Sequence, residues 1–248
     1  MVQVMGLSGI PMVKPGDELG HMVVEAAERL GVGIKEGDVI VVAQKVVSKA
    51  EGRLIHLRSV KPSSFALWVA SQTCRDPRLM ETILRETNRI VRMKDGHLIM
   101  ETKHGFVCAN AGVDLSNVSG GEVASLLPED PDTSAKRIRG HIKELKGVDV
   151  AVIISDTFGR AWRMGQTNIA VGIAGMKPIR EYKGEKDIFG YILKVTAMAV
   201  ADELASAAEL VMGKSNAVPV AVIRGFEYPR GDGTAKELIR PVEKDLFR

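Results

Sequence analysis

Apolar positions along this chain recur with two different spacings, and the spacings mark out its elements. After the turn-like "KPGDE", Leu19, Met22, Val23, Ala26, Ala27 and Leu30 share one face of a helix, and Gly31 closes it. The run "VIVVA" at 39–43 is continuously apolar and suits a strand buried on both faces. Residues 63–72 and 77–90 read as helices, the second through Leu79, Met80, Ile83, Leu84 and Ile90. "RIVRMKDGHLIMETKHGFVCAN" predicts a meander, with turns at 95–96 and 103–105. The segment 132–147 is an amphipathic helix with Ile138, Ile142 and Leu145 inward, basic residues outward and Gly147 at its end. A buried strand follows at 148–155, then an Ala-rich helix at 195–213 capped by Gly213. The apolar run "AVPVAVI" at 217–223 contains Pro219, which argues for an edge position or a strand start. Helices and strands mix without strict alternation, so a doubly wound sheet is not compelled, and no repeat, low-complexity tract or linker breaks the chain.

Composition narrows the partners. A chain of 248 residues with 45% hydrophobic and 26% charged content buries a proper core and is not disordered. Aromatic content of 4% argues against single-stranded nucleic acid, whose binders present rings for base stacking. A net charge of +3 is mild for a duplex binder but leaves room for small anionic substrates. Cys74 and Cys108 form no CxxC pair, so neither a zinc site nor a disulfide framework is indicated. No apolar run nears the roughly 20 residues that span a bilayer, and the first residues lack the apolar core of a secretory signal. The expectation is a soluble cytoplasmic protein with no nucleic-acid or membrane partner.

Familiar site motifs fail. "GVGIKEG" at 31–37 is not GxGxxG and precedes a strand where the dinucleotide motif must follow one. "MGKS" at 212–215 resembles the end of a Walker A loop, but the first glycine would fall on Ala208, at a helix exit. "GLSGI" at 6–10 lacks the last glycine of a nucleophile elbow.

Three constellations survive. Asp156 and Thr157 close an apolar strand, and oxygen donors there suit a hard cation such as Mg²⁺ or Mn²⁺; Arg160 and Arg163 follow and could neutralise phosphate. The plain alternative is an aspartate in a turn with solvated arginines. Asp114 and Asn117 follow the strand-like "FVCA", with Gly112 allowing close backbone approach, or else form an ordinary Asx turn. Gln44, Lys45, Ser48 and Lys49 follow the strand at 39–43, where lysines could face a triphosphate or line a solvated turn.

Six segments in order resemble the coenzyme F420-0:L-glutamate ligase family, the γ-glutamyl ligases of deazaflavin cofactor biosynthesis. They are "GLSGIPMVKPGD", "VVAQKVVSKAEG", "ANAGVDLSN", "SDTFGRAWRMGQTN", "AVADELASAAELVMGK" and "RPVEKDLFR", running from residue 6 to residue 248. The resemblance implies a GTP-dependent ligase that adds L-glutamate to the lactyl carboxylate of the deazaflavin phospholactate acceptor, then further γ-linked glutamates. An acyl phosphate is the implied intermediate. It implies Mg²⁺ or Mn²⁺ on Asp114, Asp156 and Thr157, with K⁺ as a further candidate ion. Nucleotide contacts are implied at Ile10, Pro11, Met12, Val13, Gln44, Lys49 and Asn117, and at Met212, Gly213, Lys214 and Ser215; no catalytic residue is assigned. The implied fold is a mixed α/β (α+β) type of the family's own, neither P-loop nor Rossmann. It forms a single ligase domain over 1–248, with two interwoven subdomains as its finer division, and an intertwined homodimer. Some bacterial relatives continue into a reductase-like domain, whereas this chain stops at Arg248. Two other readings remain: another nucleotide-dependent carboxylate–amine ligase on this scaffold, or a non-catalytic binding module for an anionic cofactor.

Overall fold

A computed structural model describes residues 1–118 and 121–245. The last three residues of the matched segment "RPVEKDLFR" therefore lie outside the described residues. The chain opens with β1 (Gln3–Leu7), α1 (Leu19–Arg29) and β2 (Val39–Ala43), which turns directly into α2 (Gln44–Ala50). Next come β3 (Leu54–His56), α3 (Ser64–Thr73), α4 (Pro77–Arg85), and then β4 (Thr87–Lys94), β5 (His97–Thr102), β6 (Val107–Ala109) and β7 (Val123–Ser125). Helix α5 (Pro131–Lys146) leads into a long hairpin of β8 (Ala151–Arg160) and β9 (Arg163–Ala174). The short strands β10 (Arg180–Glu181) and β11 (Ala197–Met198), then α6 (Val200–Met212) and β12 (Val220–Arg224), follow.

The main sheet has the order β1-β12-β2-β8-β9, and only β2 and β8 run parallel in it. That is a mixed α/β fold, with neither P-loop nor Rossmann architecture among the described residues, as the family resemblance implied. Val39 to Val42 are fully buried, which explains why that strand carries no polar position. Helix α5 is closed by its own sequence. Asp130 accepts the Thr133 N–H at 3.1 Å, Pro131 starts the first turn, and Gly147 ends the helix at φ +68°. It lies close enough on β9 that a Cβ at Gly172 would fall 2.4 Å from the Pro131 carbonyl oxygen. A second hydrophobic cluster, with Met80, Ile83, Leu98 and Met100 at its centre, is built by α3, α4 and the β4-β5-β6 sheet.

Three expectations need correction, and a fourth resolves between its alternatives. The helix read over 77–90 stops at Arg85; Thr87–Lys94 is a strand in which Ile90 faces Met100 of β5. Its apolar spacing fits a helix, but pairing with the next strand of the meander overrides that preference. The helix read over 195–213 starts at Val200, because Ala197–Met198 pairs with β10 instead. Leu145 is exposed, lying in the last turn of α5 beyond the core face formed by Ile138 and Ile142. Of the two positions Pro219 allowed, the strand start holds and the edge does not: β12 is interior to the sheet, and Pro219 sits just ahead of it, where its missing N–H is not needed and its carbonyl accepts the Ala43 N–H at 2.9 Å. Among the described residues, no helix is long and apolar enough to cross a membrane.

Candidate active site

The parallel pair ends at Ala43 of β2 and Ser155 of β8, which face each other in register. Beyond this point the two chains diverge. β2 becomes α2 at once, while β8 continues five residues further, paired only with β9. Asp156 and Thr157 therefore stand inside a strand, opposite Ile169 and Asn168, and not at a strand exit as the sequence suggested. A register shift between Ile154 and Ser155 marks a bulge that bends the hairpin here. Asp202 of α6 accepts the Ala170 N–H beside that bulge at 2.9 Å, anchoring the bent strand to the helix. Open sheets bind ligands where parallel strands end and the chain departs to different sides.

Four charged side chains meet at this end. Lys45, in the first turn of α2, donates to Asp114 Oδ2 at 2.6 Å, to Ser116 Oγ at 2.7 Å and to the Ser116 carbonyl at 2.9 Å. Asp114 Oδ1 accepts the Ser116 N–H at 2.8 Å. Burial works against ionising Asp114, but the Lys45 and Ser116 hydrogen bonds outweigh it and hold the carboxyl below its ordinary value. Asp156 differs: burial pushes its carboxyl up to about 6, the Asp114 charge adds to this, and Lys45 and Lys214 only partly offset it. Its Oδ1 accepts the Thr157 N–H at 2.8 Å. Lys214 donates to Thr157 Oγ1 at 2.6 Å and to Asn168 Oδ1 at 3.0 Å, and Thr157 Oγ1 also donates to Asn168 at 2.8 Å. Gly213, at φ +59°, makes the turn that brings Lys214 there; a Cβ on it would fall 2.6 Å from Asn216 Nδ2.

The remaining sequence-predicted residues divide. Lys49 lies with its ammonium 3.8 Å from Met12 Sδ, and burial together with the neighbouring Lys45 charge lowers its pKa. That contact brings the 10–13 segment to α2, with Ile10 half-buried and Pro11 and Met12 exposed. Val13 and Met212 are core residues, so only their backbone is available to a ligand. Gln44 is 3% exposed and its side-chain oxygen accepts the Ser48 hydroxyl at 2.9 Å. Asn117 is exposed in a left-handed turn at φ +55°, and Ser215 is exposed beside Lys214. Arg160 is committed to the hairpin tip, donating to the Met164 carbonyl at 2.6 Å, while Arg163 is exposed. Asn168, 4% exposed, escaped notice as a site residue, because its burial and its place opposite Thr157 come from the β8–β9 register.

Among the described residues no group of three or more His, Cys, Asp or Glu could hold a metal ion, so protein carboxylates supply at most two ligands here. Two carboxylates and a threonine hydroxyl nonetheless fit a hard cation such as Mg²⁺, which keeps water and takes substrate phosphates for the rest. The raised Asp156 is the observation in favour: a cation between the two aspartates would relieve both burial and repulsion.

The end of a mixed α/β sheet thus gathers two aspartates and two lysines, and similarity to known proteins gives the class of enzyme. Its sequence matches the family model described as F420-0:Gamma-glutamyl ligase over residues 9–225, and the chain belongs to that family of ligases. It is 47% identical over 250 residues to the coenzyme F420:L-glutamate ligase of Methanothermobacter thermautotrophicus, covering 100% of this chain and 99% of the relative. The Methanocaldococcus jannaschii protein of the same name is 44% identical, covering 100% and 97%. That of Methanopyrus kandleri is 46% identical, covering 95% and 93%.

Proposed function

We propose that this protein joins L-glutamate to the lactyl carboxylate of the deazaflavin coenzyme F420-0 at the expense of GTP, and then adds further glutamates through γ-linkages. Family membership supports the glutamate ligation. The observation that carries the nucleotide-driven mechanism is the convergence of Asp114, Asp156, Lys45 and Lys214 at the end of the β2–β8 pair.

A carboxylate does not condense with an amine in water without activation. In this reading a carboxylate oxygen of the acceptor attacks the γ-phosphorus of GTP; the bond to the β–γ bridging oxygen breaks and GDP leaves. The amine of glutamate then attacks the acyl carbon, loses a proton, and expels inorganic phosphate as the amide forms. Asp114, Asp156 and Thr157 would hold Mg²⁺ or Mn²⁺, which supplies charge neutralisation at phosphate oxygens. Lys214 and Lys49 orient and neutralise phosphate; burial first, and the Lys45 charge second, lower the pKa of Lys49, and an anionic phosphate beside it would offset both. The chain at 10–13, Gln44, Asn117 and the turn at 212–215 would border the nucleotide, and K⁺ is a further candidate ion.

We also infer a homodimer. Between β10 and β11 the segment carries Ile188, Phe189 and Val195 at about nine-tenths exposure, more apolar surface than a hairpin leaves to water without a partner. The ligase reading is tested by following GDP and phosphate release. Both should appear only when acceptor, glutamate and metal are present together. Steady GTP hydrolysis that ignores acceptor and glutamate would point to another chemistry.

A further inference from the structure

Lys45 is held by a cage made wholly of oxygen: the Asp114 carboxylate at 2.6 Å, the Ser116 hydroxyl at 2.7 Å and the Ser116 carbonyl at 2.9 Å. An ammonium has three N–H donors, and all three are used. Carboxylate, hydroxyl and carbonyl oxygens are also the donors that hard cations select. The Lys45 side chain is 18% exposed and stands on the second residue of α2, so the backbone fixes its approach to the cage. On the far side, Asp114 Oδ2 also accepts the Ser116 hydroxyl at 2.7 Å, leaving that oxygen with two donors already. With Asp156 and Lys214 included, the cluster holds two carboxylates and two ammonium groups, a balanced set before any ion enters.

We infer that Lys45 is a tethered counter-ion, which closes the carboxylate pair in the absence of a divalent cation and must yield Asp114 when one binds. This rests on the proposed metal site at Asp114 and Asp156. A divalent ion seated on Asp114 Oδ2 would repel the Lys45 ammonium on that same oxygen by several times thermal energy in a part-buried site, and Lys214 would have to leave Thr157 Oγ1 in the same way. The ion therefore enters only as Lys45 leaves. The released ammonium, still tethered to α2, then lies beside the phosphates that complete the ion's shell. Lys45 thus positions the 114–117 loop without a nucleotide and sets how strongly the site holds metal.

The sign of one measurement separates this role from a structural one. A lysine that merely braces the loop would, on removal, disorder Asp114 and weaken metal binding. A competing lysine would, on removal, strengthen it. The full-length, nucleotide-free protein is titrated with Mn²⁺ alone, following the free-ion electron paramagnetic resonance signal. Lys45→Met should bind Mn²⁺ about tenfold more tightly, or better, and Lys45→Arg should return the affinity toward wild type. Ser116→Ala, which removes one oxygen of the cage, should also tighten Mn²⁺ binding, and it carries the test if the lysine variant does not fold. Asp156→Asn controls for the site itself. Wild-type binding that depends on Asp156 but does not tighten in Lys45→Met or Ser116→Ala overturns the counter-ion inference alone. If wild type and every variant bind no Mn²⁺, both the inference and the metal site are overturned.

Discussion

Replacing Asp156 by asparagine should make the metal-free protein more stable while abolishing its function. The carboxyl is pushed from 3.8 up to about 6, chiefly by burial and further by Asp114. A folded-state pKa raised above the unfolded one means that folding favours the protonated form. Below pH 3.8 both states are protonated and Asp156 imposes no penalty. As pH rises from 3.8 to about 6 the unfolded state ionises first and the penalty grows, and above the folded value it levels off at about 3 kcal/mol. Part of the side chain still reaches solvent, so about 2 kcal/mol is the safer expectation. Asparagine is close to isosteric, keeps an oxygen to accept the Thr157 N–H, and carries no charge. The assay is thermal unfolding in chelator at steps from pH 4 to pH 8. The difference between Asp156→Asn and wild type should be near zero at pH 4 and reach about 4–8 °C at pH 8 for a chain of this size. Mn²⁺ should raise the wild-type midpoint and leave the variant unmoved. A variant no more stable than wild type at any pH would show that Asp156 is not held ionised at a cost, and would remove the main reason for placing a cation beside it.

Other outcomes follow from the packing. Arg224→Met strands Asp38, a 1% exposed carboxylate bound at 2.7 and 2.8 Å by that guanidinium, and should cost about 3–5 kcal/mol in urea unfolding; adding Asp38→Asn should recover much of it. Gly172→Ala drives a Cβ to 2.4 Å from the Pro131 carbonyl oxygen, where neither backbone can yield cheaply, so a loss of about 1–3 kcal/mol is expected by the same measure. Cys108 is buried, and burial and the Asp156 charge push its thiol up to about 12, while Cys74 is exposed. Iodoacetamide at pH 8 should label Cys74 at least about a hundredfold faster than Cys108 in the native protein, read by peptide mass spectrometry.

Local patterning was legible where local forces decide. Helix α1 and the buried strand at 39–43 needed only period and punctuation, and Gly147 and Gly213 marked helix ends through the positive φ they adopt. The boundary at Arg85 was not legible, because Ile90 satisfies a helical spacing and a strand pairing equally well, and Met100, ten residues away, decides. The site shows the same division. Asp114, Asp156, Thr157 and Lys45 were singled out from their positions after apolar runs. That Lys45 binds Asp114 across 69 residues, and Lys214 binds Thr157 across 57, depends on sheet order that no local window contains. Asn168 stayed hidden because its role comes from register opposite Thr157.

The most direct test of the account is the mass of the product. Purified protein is incubated with coenzyme F420-0, GTP, Mn²⁺ and L-glutamate, beside Asp156→Asn under the same conditions. Wild type should convert the acceptor to species heavier by one and then more glutamyl residues, with none formed when GTP is omitted, and Asp156→Asn should leave it unchanged. An acceptor whose mass is unaltered by wild type, or glutamylated equally well by the variant, would contradict the account.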